Sequence, residues 1–314
     1  MEGGALRIAI TGATGLIGSA LMRALSRSGH EIVIVTRRPA AAGRTLEGAG
    51  AARVVVWNPT RGVIDAAGLE ACDVVVHLAA ESIAGLWTRG KRDRIRSSRV
   101  HGTELLAGTL ARLSRPPAAF LSASATGYYG ARPPDTPIDE DAPPGSGFLA
   151  ETAVAWEAAT RAAEAAGIRT VRMRIGVVLT AAGGLLGALL PLFRLGLGGR
   201  LGDGSQVVSW ISLDDVVAAV RHIIDTPELS GPVNLVAPEA VTNADFTRTL
   251  GRLLRRPTPF AVPAPVLRLL PGGMGQEIML AGARVVPRRL EETGFRFAHP
   301  DLEGALRHAL GLES

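Results

Sequence analysis

Cysteine is almost missing from the 314 residues: Cys72 stands alone, which excludes an internal disulfide framework and a cysteine-built metal site. A reducing cytoplasm is the expected setting for such a chain. Lysine is equally scarce, since Lys91 is the only one among 34 basic residues and all the others are arginine. Tyrosine occurs twice, as Tyr128 and Tyr129, and aromatic residues make up 4% of the chain. That poverty argues against nucleic acid as a partner. The basic run Arg89, Lys91, Arg92, Arg94, Arg96 and Arg99 has only Trp87 beside it, whereas single-strand binding interleaves cations with stacking rings. The run reads more simply as a solvated helix face. No unbroken apolar span of bilayer length exists either. The stretch between Arg174 and Arg194 carries no charge, but Gly176, Gly183, Gly184, Gly187 and Pro191 interrupt it, so a strand, a loop and a helix are expected there in place of a membrane span. Residues 1–11 lack a basic n-region and a small-residue cleavage site, so no signal peptide is expected.

What is present is the composition of a globular protein, 47% hydrophobic and 20% charged with a net charge of +5. Short β-branched runs at 6–11, 31–36, 53–57 and 73–78 alternate with helical stretches, and the alternation continues through a helix near 91–113, a strand at 118–124, a helix at 149–166 and a strand at 170–178. Alternation of this kind predicts parallel strands joined by crossover helices. The expected fold is α/β, a Rossmann-like doubly wound parallel sheet with a smaller C-terminal α/β subdomain. Residues 1–178 form the nucleotide-binding domain, with later segments adding to the sheet, residues 179–256 supply the substrate side, and residues 257–314 make the terminal domain. Five prolines between 257 and 271 predict a tether there that does not continue the sheet.

The sharpest motif is Thr11-Gly12-Ala13-Thr14-Gly15-Leu16-Ile17-Gly18, set directly between an apolar strand and an amphipathic helix. Gly12 permits a tight turn, Gly15 lets the backbone approach a pyrophosphate, and Gly18 lets the helix pack closely on the strand. About 20 residues further on, where a carboxylate would bind the ribose of NAD, the second strand ends in Thr36-Arg37-Arg38. A guanidinium binds a 2'-phosphate by paired hydrogen bonds and an acid would repel it, so NADP is expected over NAD. His77 closes the fourth strand before Leu78-Ala79-Ala80-Glu81; no second histidine or cysteine shares a metal spacing with it, and no metal is expected.

With Ser122-Ala123-Ser124-Ala125-Thr126-Gly127-Tyr128-Tyr129-Gly130 added to these motifs, the chain resembles the extended short-chain dehydrogenase/reductases. More narrowly it resembles their atypical, epimerase-like branch of the NAD(P)-dependent epimerase/dehydratase type. The narrower match rests on Ser98-Arg99, Phe148-Leu149-Ala150-Glu151, Trp156-Glu157, Arg174-Ile175-Gly176-Val177-Val178, Trp210-Ile211-Ser212-Leu213-Asp214-Asp215 and Asn234-Leu235-Val236-Ala237-Pro238. The tail, 282–310, resembles the small C-terminal domain of unknown function that these proteins carry. The resemblance spans nearly the whole chain. It implies cofactor contacts at Gly12, Thr14, Gly15, Leu16, Ile17 and Gly18 for the pyrophosphate and at Thr36, Arg37 and Arg38 for the adenosine phosphate. Leu78, Ala79, Arg99 and Val178 would line the remainder.

Relatives in this superfamily use a tyrosine as general acid/base with a lysine four residues on, whose charge lowers the phenol pKa. Here that pair cannot exist: Arg132 and Pro133 stand four residues after Tyr128 and Tyr129, and Lys91 lies upstream. Ser124 matches the serine that bonds the reacting oxygen, or else caps a strand end. Tyr128, Tyr129, Glu81 and Glu151 are candidate substitutes for the acid/base, or packing and helix-dipole residues. Asp214 and Asp215 suit the first turn of a helix after Ser212. Two functions follow: an NADP-dependent oxidoreductase or epimerase on a small substrate, with a homodimer as its assembly, or a catalytically silent NADP-binding sensor.

Overall fold

The computed structural model describes residues 4–37 and 53–312. Its first half runs β1 (Arg7–Thr11), α1 (Leu16–Arg27), β2 (Glu31–Thr36), β3 (Arg53–Asn58), β4 (Val63–Ile64), β5 (Val74–His77), α2 (Arg89–Leu110), β6 (Ala119–Ala125) and β7 (Pro137–Ile138). It continues with α3 (Phe148–Ala158), α4 (Arg161–Ala165), β8 (Arg169–Ile175), β9 (Val177–Leu179), α5 (Gly184–Arg194), β10 (Gly199–Leu201), β11 (Val207–Val208), β12 (Trp210–Ser212), α6 (Leu213–Asp225) and β13 (Gly231–Leu235). The last part holds β14 (Val241–Thr242), α7 (Asn243–Leu253), β15 (Phe260–Val262), α8 (Ala264–Arg268), a π-helical turn (Gly275–Leu280), β16 (Arg284–Val285), α9 (Arg288–Glu292) and α10 (Leu302–Ala309).

Eight strands form the central sheet in the order β13-β8-β6-β5-β1-β2-β3-β4, all parallel except the edge strand β4. The chain winds outward in both directions from β1, and the switch point lies between β1 and β5. β1, β2 and β5 read as nearly continuous apolar runs because both faces are covered. Ile8 and Ile10 of β1 face α1 and α6 with Leu21, Leu25, Val220 and Ile223, whereas Ala9 faces α2 with Leu106 and Leu110. This is the doubly wound sheet the alternation of runs predicts, and β13 is a later segment that joins it.

Two expected elements divide. The helix anticipated at 149–166 breaks into α3 and α4 at Thr160, whose hydroxyl donates to the Glu157 carbonyl at 2.7 Å and competes with the helical ladder. The strand anticipated at 170–178 breaks at Gly176, where a Cβ would lie 2.7 Å from the Ser209 carbonyl. β8 stays in the central sheet, and β9 leaves it to pair with β12. The proline-rich stretch contributes β15 to β10 and nothing to the central sheet. Among the described residues no helix is long and apolar enough to cross a membrane. The tail is stitched back onto the body: β16 pairs with β7, and Asn234 Nδ2 donates to the Val286 carbonyl at 2.9 Å.

Candidate functional site

The glycine loop lies at the carboxyl edge of the sheet, at the switch point. Gly12 has φ +69°, and a Cβ there would lie 2.9 Å from the Ala79 amide nitrogen and the Leu78 carbonyl carbon. A Cβ on Gly18 would lie 2.2 Å from the Gly12 carbonyl oxygen, so α1 can sit this close to β1 only with glycine. Gly15 is the N-cap of α1, with no capping side chain among the described residues and no acid in the first turn. Thr14 and Gly15 are exposed, Leu16 and Ile17 half-buried. An uncapped helix N-terminus over an exposed glycine cradle fits a pyrophosphate.

Thr11 fastens the two strands at this point. Its hydroxyl accepts the N–H groups of Leu78 at 3.0 Å and Ala79 at 3.1 Å, so it donates to His77 Nδ1 at 2.7 Å. His77 is wholly buried between Thr11 and Thr103, and burial pulls its pKa down to about 4; it is a neutral structural histidine. Val178, on β9, and Gly183, whose Cβ would touch a Leu16 methyl at 3.4 Å, close the far side of the loop.

Thr36 ends β2 half-buried and Arg37 is exposed next to it; Arg38 lies outside the described residues. The segment after Ala79 is clasped by α2. Ser98 Oγ accepts the Glu81 N–H at 3.0 Å, Arg99 Nη1 donates to the Glu81 carbonyl at 3.0 Å, and Lys91 Nζ meets Glu81 Oε1 at 2.8 Å. The Lys91 hydrogen bond, aided by the charges of Arg94 and Arg37, holds the Glu81 carboxyl below its ordinary range. Burial draws the Arg99 guanidinium down to about 10, and its planar group lies 5.0 Å above the Trp156 ring. Part of the basic run is therefore engaged in shaping this loop.

Ser124, next to last in β6, sits in a buried polar network. Its hydroxyl donates to Glu157 Oε1 at 2.7 Å, and Arg174 grips the same carboxylate with both arms, Nε to Oε1 at 2.8 Å and Nη2 to Oε2 at 2.9 Å. Arg174 Nη1 also donates to the Tyr129 hydroxyl at 2.8 Å and the Glu140 carbonyl at 3.1 Å. The Tyr129 hydroxyl in turn donates to Asn234 Oδ1 at 2.8 Å. Burial pushes the Tyr129 phenol up to about 12 and raises the Glu140 carboxyl. Burial alone would lower the Arg174 pKa, but the Glu157 hydrogen bonds and charge more than offset it, and the guanidinium is held above its ordinary value. The Tyr128 ring lies 3.5 Å beneath that guanidinium.

Ser124, Tyr128 and Tyr129 are thus gathered around one arginine. Glu151 is exposed in the first turn of α3, and Asp215 is wholly buried, accepting the N–H groups of Ala298 and His299. The first turn of α3, where the resemblance would put a tyrosine, packs Leu149 against Gly127 and is capped from the tail: Glu277 Oε1 and Oε2 accept the Phe148 and Leu149 N–H groups at 3.0 and 2.7 Å. Glu157, Arg174, Glu140, Asn234 and Glu277 carry this arrangement and have no local motif that announces their role. Glu157 and Arg174 do not stand out by type, since α3 also carries Glu151 and β8 also carries Arg169 and Arg172.

Residues 8–236 match the model of the NAD dependent epimerase/dehydratase family, and residues 262–309 match a domain of unknown function. An epimerase family protein of Mycobacterium bovis is 43% identical over 303 residues, covering 96% of this chain and 97% of its own. The crystal structure of human epimerase family protein SDR39U1 with NADPH superposes with a TM-score of 0.83 at 31% identity, over 98% of this chain and 99% of that one. A nucleoside-diphosphate sugar epimerase of Corynebacterium glutamicum superposes at 0.80 with 34% identity, over 99% of this chain and 59% of its own.

Proposed function

This chain belongs to the NAD dependent epimerase/dehydratase family, and from that membership we propose that it binds NADP(H) and works as an oxidoreductase or epimerase of the short-chain dehydrogenase/reductase kind without the tyrosine–lysine pair. The observation that carries the reading is the exposed glycine cradle at the α1 N-terminus with Arg37, and no acid, at the end of β2. The human relative solved with NADPH supports it. The nicotinamide, when bound, supplies a carbon that gives or takes hydride.

Gly12, Thr14, Gly15, Leu16, Ile17 and Gly18 receive the pyrophosphate; Thr36, Arg37 and Arg38 receive the 2'-phosphate; Leu78, Ala79, Arg99 and Val178 line the cleft. Ser124 has spent its own proton on Glu157, so its oxygen accepts a hydrogen bond from a substrate hydroxyl, and the Ser124–Glu157 couple draws that proton inward. Tyr128, half-buried beneath Arg174, is the second group on this face. Tyr129 has both its donor and its acceptor role committed and serves to fix Arg174. The reading carries with it a small substrate, a cytoplasmic setting and a homodimer.

A second reading is favoured by Leu149 and its Glu277 cap, which fill the place of the missing tyrosine with an apolar side chain. In that case the protein is a silent NADP(H) sensor. Parallel titration with NADPH and NADH by tryptophan quenching, on wild type and Arg37→Ala, tests the cofactor. NADPH should bind at least about tenfold more tightly, and Arg37→Ala should erase most of that preference. Equal binding of the two overturns the NADP assignment, and binding of neither overturns the reading. Nicotinamide absorbance over a panel of alcohols, ketones and sugar nucleotides then separates the two forms: turnover favours the enzyme, tight binding without it the sensor.

A further inference from the structure

α10 and the loop before it bring two histidines to the first turn of α6. His308, in the last turn of α10, places Nε2 2.6 Å from Asp214 Oδ2. The His299 ring stacks on His308 with centroids 4.3 Å apart and planes inclined by 26°. One ligand atom from each of Asp214, His299 and His308 lies within 4.8 Å of the other two.

The backbones that carry these side chains are pinned by separate contacts. Asp215 accepts the Ala298 N–H at 2.7 Å and the His299 N–H at 3.1 Å, and Ser212 caps α6 through the Asp215 N–H at 2.9 Å. Asp301 caps α10 through the Gly304 N–H at 2.8 Å. We propose that Asp214, His299 and His308 form a zinc-type metal site that clamps α10 to α6.

Two imidazoles and one carboxylate are the donor set zinc prefers to magnesium or calcium, which select oxygen alone. Metal–ligand distances of 2.0–2.2 Å in a tetrahedron set ligand atoms roughly 3.4 Å apart, so atoms now up to 4.8 Å apart draw together on binding and the stacked imidazoles turn their lone pairs toward a common point. The ion takes the place of the proton now shared by His308 and Asp214. Asp214 is exposed and both histidines are half-buried, so the fourth position opens to water. The sequence alone predicts no metal, and this set has no local spacing to mark it, because Asp214 meets the histidines only where α10 packs on the body.

The test is calorimetric titration of the untagged, chelator-stripped full chain with Zn2+, paired with Co2+ absorption in the visible. Wild type should bind one ion per chain, and His299→Ala and His308→Ala should each weaken binding about tenfold or more. The tetrahedral cobalt bands should vanish in the double variant, while its far-UV circular dichroism and NADPH titration stay as in wild type. No binding at about 0.1 mM Zn2+, or a double variant that binds as tightly as wild type, overturns the proposal.

Discussion

His77 shows at the scale of one residue how burial becomes a pH dependence. Its pKa in the folded chain is about 4 against 6.5 for the free side chain, and no charge opposes or aids the shift. As pH falls below 6.5 the unfolded chain takes up a proton that the folded chain refuses until about pH 4. The stabilisation is therefore complete above pH 6.5 and is lost through that window, by roughly 3 kcal/mol in total. Urea denaturation of wild type and His77→Gln from pH 7 to 4 should show the steeper fall in wild type; parallel curves would mean that His77 is protonated in place. The same burial holds Cys72 up to about 11, consistent with its role as a packed apolar side chain. Ser124 was legible from its place near a strand end, but its bond to Glu157 was not, because the partner lies 33 residues on, on α3. Tyr129 and Asn234 are 105 residues apart. Such pairs are made by the sheet's crossovers and leave no local trace in the chain.

Among elements, β1, the glycine loop and α1 were readable because every force that shapes them is local: apolar run, tight turn, amphipathic helix. The division at Gly176 was not, since β-branched residues on both sides read as one strand and the Ser209 carbonyl that crowds the glycine comes from β12's approach. α3 is the clearest case of an element completed from afar. Its N-cap, Gly147, has φ +104° and no capping side chain of its own, and a Cβ there would stand 3.2 Å from the Glu277 carboxylate. Glu277 does the capping across 129 residues of chain. Glu277→Ala should therefore cost about 1–2 kcal/mol of stability, with Glu277→Gln recovering part of it because an amide oxygen still accepts one bond. Urea denaturation checks both; an unchanged midpoint for Glu277→Ala would show the first turn of α3 to be held by packing alone.

Over the whole molecule the tail is a structural part of the body. Val285, Leu290, Leu302 and Leu306 are buried, and they belong to three different apolar clusters of the body. A chain ending at residue 256 should lose fixed tertiary packing, giving a weak near-UV circular dichroism spectrum and dye binding, whereas the full chain unfolds in one transition. A truncated chain with the native near-UV spectrum would show the body to be self-sufficient. Arg284 donates to the Pro134 carbonyl across 150 residues, and β16 pairs with β7 beside it. At a ribosome adding about 5–20 residues per second, β7 waits roughly 8–30 s for its partner to be made. Through that interval the cap of α3 and the partner of β7 are still untranslated, so the central sheet, whose last strand is β13, is complete in sequence before the segment that fastens α3 and β7 to it exists.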